Sequence, residues 1–331
     1  MNIGLLGAGT VGMAVTRLLA GRDDVDASLA KVLVRDTGRA RDPIPANLLT
    51  TDPDEVMDAA EVLIEVMGGT GLAGDLTVAA LGRGKRVVTA NKAVLAERWD
   101  ELEPFLRQGK LYFEAAVMAG TPVIGPLTGA FRGSRPVELH AVLNGTCSYI
   151  LGELEKGTRF DDALAEAQRL GYAEADPTLD IGGFDAAHKL NVLARLVFDP
   201  EVSWDSVKAT TTGIERLTPE TMQKALELGG RVLLLGSVYP EDGAWKTTVR
   251  PVFLPNVHPL ASAASGRNAL YFRGDAVGEI LITGAGAGGL PTASGVFADL
   301  IAALDGRPGP SPLKRAGPVS SERVVKLEEL R

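Results

Sequence analysis

The sequence predicts an α/β chain of two parts, a doubly wound parallel sheet followed by an α+β region whose sheet is largely antiparallel. Three observations carry this. A glycine turn, Gly7-x-Gly9-x-x-Gly12, stands between a short apolar run and an apolar helical stretch. Strand-like and helix-like segments then alternate up to residue 114, the rhythm of βα units. From residue 208 onward, strand-like segments follow one another with no helices between them, which suits antiparallel pairing.

In chain order, Asn2–Leu6 is an apolar run of strand length, and the glycine turn leads into a helix through Leu19. Further strands are predicted at Lys31–Val34, Val62–Val66, Arg86–Thr89 and Leu111–Glu114, with helices at roughly 56–60, 72–83 and 94–108. Gly125–Arg135 reads as a boundary. Beyond it, Val137–Leu143 is a strand, and Tyr149–Lys156, Asp161–Leu170 and Asp185–Phe198 are helices. Strand-like stretches follow at about 208–214, 232–238, 246–254, 269–273 and 278–283. Ser294–Leu304 is a helical pattern expected to return to the first part. The predicted organisation is 1–130 as a dinucleotide-binding domain completed by 284–306, 131–283 as the substrate domain, and 307–331 as a tail.

Composition narrows the function. A chain of 331 residues exceeds what one core usually serves, and 45% hydrophobic with 23% charged residues is ordinary for a globular protein. A net charge of −8 without any basic run argues against nucleic-acid or anionic-membrane partners. No apolar run approaches the roughly 18 residues of a membrane span, and the N-terminus lacks the basic region of a signal peptide. One cysteine, Cys147, excludes an intramolecular disulfide and fits a reducing cytoplasm. His140, His188 and His258 are too scattered for a zinc site.

The glycine turn sits in the context a dinucleotide fingerprint requires. Gly7 permits the tight turn and Gly9 lets a pyrophosphate approach backbone N–H groups at the helix start. Gly12 allows close packing of helix on strand, so the sheet is of Rossmann type. About 20 residues further on, Arg35 and Asp36 stand side by side where such folds read the ribose. An acid there favours NAD and an arginine favours NADP; Arg39 and Arg41 tip the reading toward NADP with NAD tolerated. A second spacing, Gly284-x-Gly286-x-x-Gly289, lies between a strand and a helix with no βαβ unit behind it. It either closes over the cofactor or forms a tight crossover.

The densest chemistry lies in residues 167–189. Glu174, Asp176, Asp180 and Asp185 crowd a loop broken by glycine and proline, and Lys189 follows on a helix, four residues beyond Asp185. Such acids suit an ammonium group, and a lysine beside an apolar stripe (Leu193, Leu196) suits proton transfer. Lys92, in Thr89-Ala-Asn-Lys92, falls just past a parallel strand, where open sheets place ligand contacts.

The run Gly171-Tyr-Ala-x-x-Asp-Pro-x-x-Asp-Ile-x-Gly-x-Asp-x-x-x-Lys189 resembles the signature of homoserine dehydrogenases. So do Thr89-Ala-Asn-Lys92, Phe113-Glu-Ala-Ala-Val-Met-Ala-Gly-Thr-Pro122, Leu143-Asn-Gly-Thr-Cys-Ser-Tyr-Ile150 and Gly284-Ala-Gly-Ala-Gly288, in order from about residue 3 to 304. The resemblance implies reversible oxidation of L-homoserine to L-aspartate 4-semialdehyde with NAD(P), in threonine, methionine and isoleucine biosynthesis. It implies Lys189 as proton donor and acceptor, and Lys92 beside substrate and nicotinamide. Glu174 and Asp185, with Asp180 in the same cluster, would hold the amino group, and Gly171 would give a backbone contact. Thr10, Val11 and Gly288 match cofactor contacts. A sodium-like cation is implied at the Glu114 side chain and the carbonyls of Val117, Ala119 and Thr121, and a homodimer through the antiparallel sheet. Ser148 stands where many relatives carry Asn. The residues after Arg307 are too few for the regulatory domain many relatives append, so no threonine inhibition through such a domain is expected.

Two rivals remain. One makes Cys147 a thioester-forming nucleophile with His188 as its partner, as in semialdehyde dehydrogenases; it leaves the acidic block unexplained. The other is a nucleotide-sensing module without turnover.

Overall fold

A computed structural model describes residues 1–263, 266–314, 317 and 318. They form two compact units, Met1–Thr128 with Ala287–Pro312, and Gly129–Gly286 with the chain from Leu313.

The first unit runs β1 (Asn2–Leu6), α1 (Thr10–Ala20), β2 (Ser28–Leu33), β3 (Leu49–Thr50), α2 (Pro53–Ala59), β4 (Val62–Glu65), α3 (Leu72–Gly82), β5 (Arg86–Thr89), α4 (Lys92–Glu97), α5 (Trp99–Arg107), β6 (Leu111–Tyr112) and α6 (Ile124–Thr128). Its six strands are all parallel, in the order β3-β2-β1-β4-β5-β6. That is the order of a doubly wound dinucleotide-binding sheet. Ile3, Leu5, Val62, Ile64 and Val88 are all buried. Helices cover both faces, so the central strands read as unbroken apolar runs rather than alternating ones.

The second unit contains β7 (Pro136–Val142), α7 (Gly145–Glu155), α8 (Phe160–Arg169), α9 (Thr178–Ile181), α10 (Phe184–Val197), α11 (Trp204–Ala209), α12 (Pro219–Glu227), β8 (Gly230–Glu241), β9 (Ala244–Pro255), β10 (Arg267–Gly274) and β11 (Gly278–Ala285). The strands pair antiparallel throughout, in the order β11-β10-β7-β8-β9. Asp242-Gly243 turns β8 into β9 with φ of +51° and +73°, the backbone a two-residue hairpin needs. Every residue of α10 from Ala186 to Val197 is buried, so this helix runs through the core of the unit.

The last helix, α13 (Gly289–Leu304), belongs to the first unit. Ala293, Val296, Phe297, Leu300 and Ala303 join the core of the parallel sheet. Only glycine fits at position 295, where a Cβ would come within 2.6 Å of the Ala119 carbonyl oxygen.

Three sequence expectations need correction. No strand forms over 208–214: α11 occupies its start, and only an isolated bridge joins Thr211 to Val249. The hydroxyls of Thr210 and Thr211 donate to the Val207 carbonyl, so these β-branched residues finish a helix instead. The helix expected over 94–108 breaks at Arg98, whose guanidinium bonds Asp75, Glu101 and the carbonyl of Thr70. Third, α12 forms between residues 214 and 232, where the sequence predicts no element; Thr218 caps it and Pro219 occupies its first turn. Most of the tail expected at 307–331 lies outside the described residues.

Candidate active site

In the first unit the glycine turn has the geometry its spacing requires. Gly7 follows β1 with φ +103°, which is strained for any side chain. A Cβ at Gly9 would meet nothing within 4 Å, so the space in front of α1 is open. A Cβ at Gly12 would overlap the carbonyl oxygen of Gly7. Thr10 and Val11 open α1, where unpaired N–H groups and the positive helix end favour a phosphate.

The second glycine spacing meets the first. Gly288 caps α13 with φ +115°, and a Cβ at Gly289 would stand 2.9 Å from the Thr10 side chain. Packing against the fingerprint loop accounts for Gly289, whereas a Cβ at Gly286 would overlap the Asn268 side chain.

Past β2, Arg35 and Arg39 are exposed, whereas Arg41 is tied to its own loop by bonds to the carbonyls of Asp36 (2.7 Å) and Arg39 (2.9 Å). The Asp36 carboxylate accepts the N–H of Gly38 at 2.8 Å. Two arginines, not three, thus present their side chains at this edge. Lys92 is the first residue of α4, whose N-terminus is capped by the Asn91 side chain.

Glu114 lies half-buried at the expected cation position, and its carboxylate accepts three backbone N–H groups. These come from Val123 (2.7 Å), Ile124 (2.8 Å) and Gly125 (2.7 Å) at the start of α6. Met118 and Ala119 hold left-handed backbone with φ +59° and +54°. The Asp299 carboxylate accepts the Glu114 N–H at 2.7 Å. Burial, and then the charge of Glu114, push the Asp299 acid well above the usual carboxylate range. Among the described residues, no group of three or more His, Cys, Asp or Glu is arranged to hold a metal.

In the second unit, three of the acidic loop's predicted residues come together around Asn144. The Lys189 ammonium, on the buried helix α10, donates to the Leu143 carbonyl and to the Asp185 carboxylate, each at 2.7 Å. The side chains of Lys189 and Asp185 are only 10% and 12% exposed. Asn144 donates both amide protons, to Asp180 at 2.7 Å and to Asp185 at 2.8 Å, and its oxygen caps α7 through the Cys147 N–H at 2.7 Å. One neutral amide thereby holds two like-charged carboxylates together.

Glu174 does not join this knot; it stays exposed on the loop, where its backbone carbonyl accepts from Gln168 at 3.0 Å. The Asp176 carboxylate accepts the N–H and the hydroxyl of Thr178, the first residue of α9. Gly171 holds φ +77° just past α8, as helix C-termini commonly require.

Sequence reasoning missed Asn144, the Leu143 carbonyl, Asn268 and Thr146. Asn268 is fully buried and donates to the Leu143 carbonyl at 3.2 Å. The Thr146 hydroxyl donates to the Tyr172 carbonyl at 2.6 Å, tying α7 to the acidic loop. Asn144 was readable as a helix cap, since an Asn before Gly-Thr and an apolar run has that form.

Cys147 does not suit the nucleophile role. Its thiol is fully buried and donates to the Asp180 carbonyl at 3.1 Å. Burial, reinforced by the charges of Asp180, Asp185 and Glu215, raises its pKa well above the ordinary thiol range, away from a thiolate. Its supposed partner His188 stacks on Trp204 at 4.3 Å.

The chain matches the family model described as homoserine dehydrogenase over residues 122–301, and that described as homoserine dehydrogenase, NAD binding domain, over residues 7–114. It is 37% identical to the homoserine dehydrogenase of Bacillus subtilis, over 92% of this chain and 73% of the relative. The crystal structure of a homoserine dehydrogenase from Thiobacillus denitrificans superposes with a TM-score of 0.85 at 39% identity, covering 91% of this chain and 72% of that one. A hyperthermophilic archaeal homoserine dehydrogenase in complex with NADPH superposes with a TM-score of 0.78 at 29% identity, covering 93% and 99%.

Proposed function

The chain belongs to the homoserine dehydrogenase family, and from that premise we propose that Lys189 is the residue that moves the hydroxyl proton. The activity is NAD(P)-dependent, reversible oxidation of L-homoserine to L-aspartate 4-semialdehyde. The nicotinamide, when bound, accepts or returns the hydride. The remaining task is a proton transfer at the substrate oxygen and a grip on its charged end.

The observation that carries the reading is the fixing of the Lys189 ammonium by two acceptors, the Leu143 carbonyl and the Asp185 carboxylate. An ammonium has three donor directions, so one remains for a substrate oxygen. In the reducing direction that proton goes to the carbonyl oxygen; in the oxidising direction the neutral amine takes it back from the hydroxyl. Asp185 and Asp180, with Glu174 on the exposed part of the loop and a backbone contact at Gly171, serve the substrate's ammonium group. Lys92 serves the reacting end and the nicotinamide. Turnover of homoserine followed at 340 nm tests this: Lys189→Ala should lose about 10³-fold in kcat while still binding both substrates, and a variant at the wild-type rate would refute it.

The cofactor reading places the pyrophosphate at Gly7, Gly9, Thr10, Val11 and Gly12, with Gly288 beside them, and a 2′-phosphate at Arg35, hence NADP before NAD. The first unit is the dinucleotide-binding part and the second the substrate part. Glu114, with the carbonyls of Val117, Ala119 and Thr121, would hold a sodium-like cation. Its three N–H donors leave about one acceptor direction open, and an oxygen-only set suits a hard cation, which supports the reading. Melting in sodium chloride above that in choline chloride of equal ionic strength would support it; equal melting would not. A homodimer through the antiparallel sheet is supported by edge strand β11, whose Leu281 is 41% exposed; light scattering giving the mass of one chain would exclude it. A cytoplasmic setting fits the lone buried cysteine, and secretion of the native protein into an oxidising compartment would oppose it.

A further inference from the structure

Glu65, the last residue of β4, is a fully buried carboxylate that the chemistry above does not use. One of its oxygens accepts the Met67 N–H at 2.8 Å and the other accepts the Thr89 hydroxyl at 2.6 Å. The Thr89 oxygen in turn accepts the Asn91 N–H at 3.0 Å. Asn91 donates its side-chain amide to the Gly69 carbonyl at 2.8 Å and accepts the Val94 N–H at 3.2 Å, which caps α4. The bonds close a ring from Glu65 through Thr89 and Asn91 to Gly69 and back along the chain.

The ring stitches together the loops that follow β4 and β5. The first contains Gly68 and Gly69, both left-handed at φ +76° and +75°. The second delivers Lys92 as the first residue of α4. Two glycines in succession offer little stiffness of their own. A buried carboxylate is costly unless its oxygens are fully bonded, and here each oxygen anchors one of the two loops. A neutral apolar side chain would fill the strand end without that cost, so the acid has a use beyond packing.

We propose that Glu65 is a positioning residue for the reaction: through Thr89 and Asn91 it fixes where α4 begins, and so where the Lys92 amine is presented. This rests on the reading of Lys92 as a residue of the reacting end. Glu65→Gln keeps the size but has one acceptor oxygen where the carboxylate has two, so whichever way the amide turns, either the Thr89 hydroxyl or the Met67 N–H loses its acceptor and the ring opens.

The test is a double-mutant cycle on the full chain, with kcat at saturating homoserine and NADP and thermal melting measured in each variant. Glu65→Gln should lower kcat about tenfold, and should cost less than about twofold when Lys92 is already alanine. The melting shift from Glu65→Gln should be the same in both backgrounds. Thr89→Val, which cuts the same chain one link later, should repeat the loss, and Thr89→Ser should restore most of it. An undiminished tenfold loss in the Lys92→Ala background overturns the proposal, as does a Glu65→Gln enzyme with unchanged kcat. If Glu65→Gln fails to fold, the same cycle run with Thr89→Val decides. Lys92→Ala at the wild-type rate overturns the reading of Lys92 itself, a separate and distinguishable failure.

Discussion

The two units carry their chemistry in different ways. In the first, the cofactor loop is contiguous: three glycines within six residues, Gly7 demanded by its backbone angle, Gly12 by an overlap, and Gly9 facing open space. In the second, the lysine, two acids, two amides and a carbonyl come from residues 143–144, 180–189 and 268, brought together by the packing of α7, α10 and β10. A contiguous site tolerates no change at its own positions but depends little on distant ones. An assembled site depends on groups that touch no substrate.

That contrast orders the expected effects. Lys189→Ala should be the most damaging, about 10³-fold in kcat, with the cofactor affinity measured by fluorescence titration held within about twofold. Gly12→Ala forces a methyl group onto the Gly7 carbonyl and should weaken NADP binding on the order of a hundredfold, about 2.7 kcal/mol, with homoserine-dependent steps at saturating cofactor less affected. Asn144→Ala releases Asp180 and Asp185 from their shared amide. The two carboxylates should then move apart, raising KM for homoserine roughly tenfold, and also lowering stability by about 1 kcal/mol through the lost cap of α7. If Asn144→Ala changed stability alone, the assembled half would not need its amide. Arg35→Ala should raise KM for NADP several-fold, about 1 kcal/mol, and leave KM for NAD unchanged; equal loss for both cofactors would contradict the 2′-phosphate reading.

The smallest effect should come from the sheet of the second unit, away from either site. Glu138 is fully buried, bonded to Arg273 at 2.7 Å, with His140 3.5 Å from its other oxygen. Burial alone would raise its pKa, but His140 and Arg273 outweigh it and hold the acid below its ordinary value of 4.5. A depressed folded pKa means stability that is present above about pH 4.5 and lost as pH falls through the folded value. Wild type should therefore melt above Glu138→Gln by the widest margin near pH 7, and the margin should close on acidification below about 4.5. A margin independent of pH would show that the charge is not what matters.

The same contrast explains what could be read from sequence. The parallel sheet and its glycine turn were legible because local rules fix both: unbroken apolar strands, a left-handed angle at Gly7 and a close approach at Gly12. Lys189 and Asp185 were legible because they share one helix face. Asn144 was not placed with the acids, since a cap residue and a site residue look alike until the fold brings Asp180 within 2.7 Å. Glu174 shows the other side: its neighbourhood in sequence does not bring it into the lysine's hydrogen-bonded knot, and it stands exposed on the loop instead. The false strand at 208–214 arose from three consecutive threonines, of which Thr210 and Thr211 turn their hydroxyls to helix carbonyls. Glu65 gave no signal, because a lone acid at a strand end acquires meaning only through Thr89, 24 positions away.

The most direct test of the central claim is chemical rescue of the alanine variant at position 189. With homoserine and NADP saturating, small primary amines added to Lys189→Ala should restore part of the absorbance change at 340 nm, in proportion to the unprotonated amine present. A variant that binds both substrates yet is restored by no amine, or one that never lost its rate, would contradict the account.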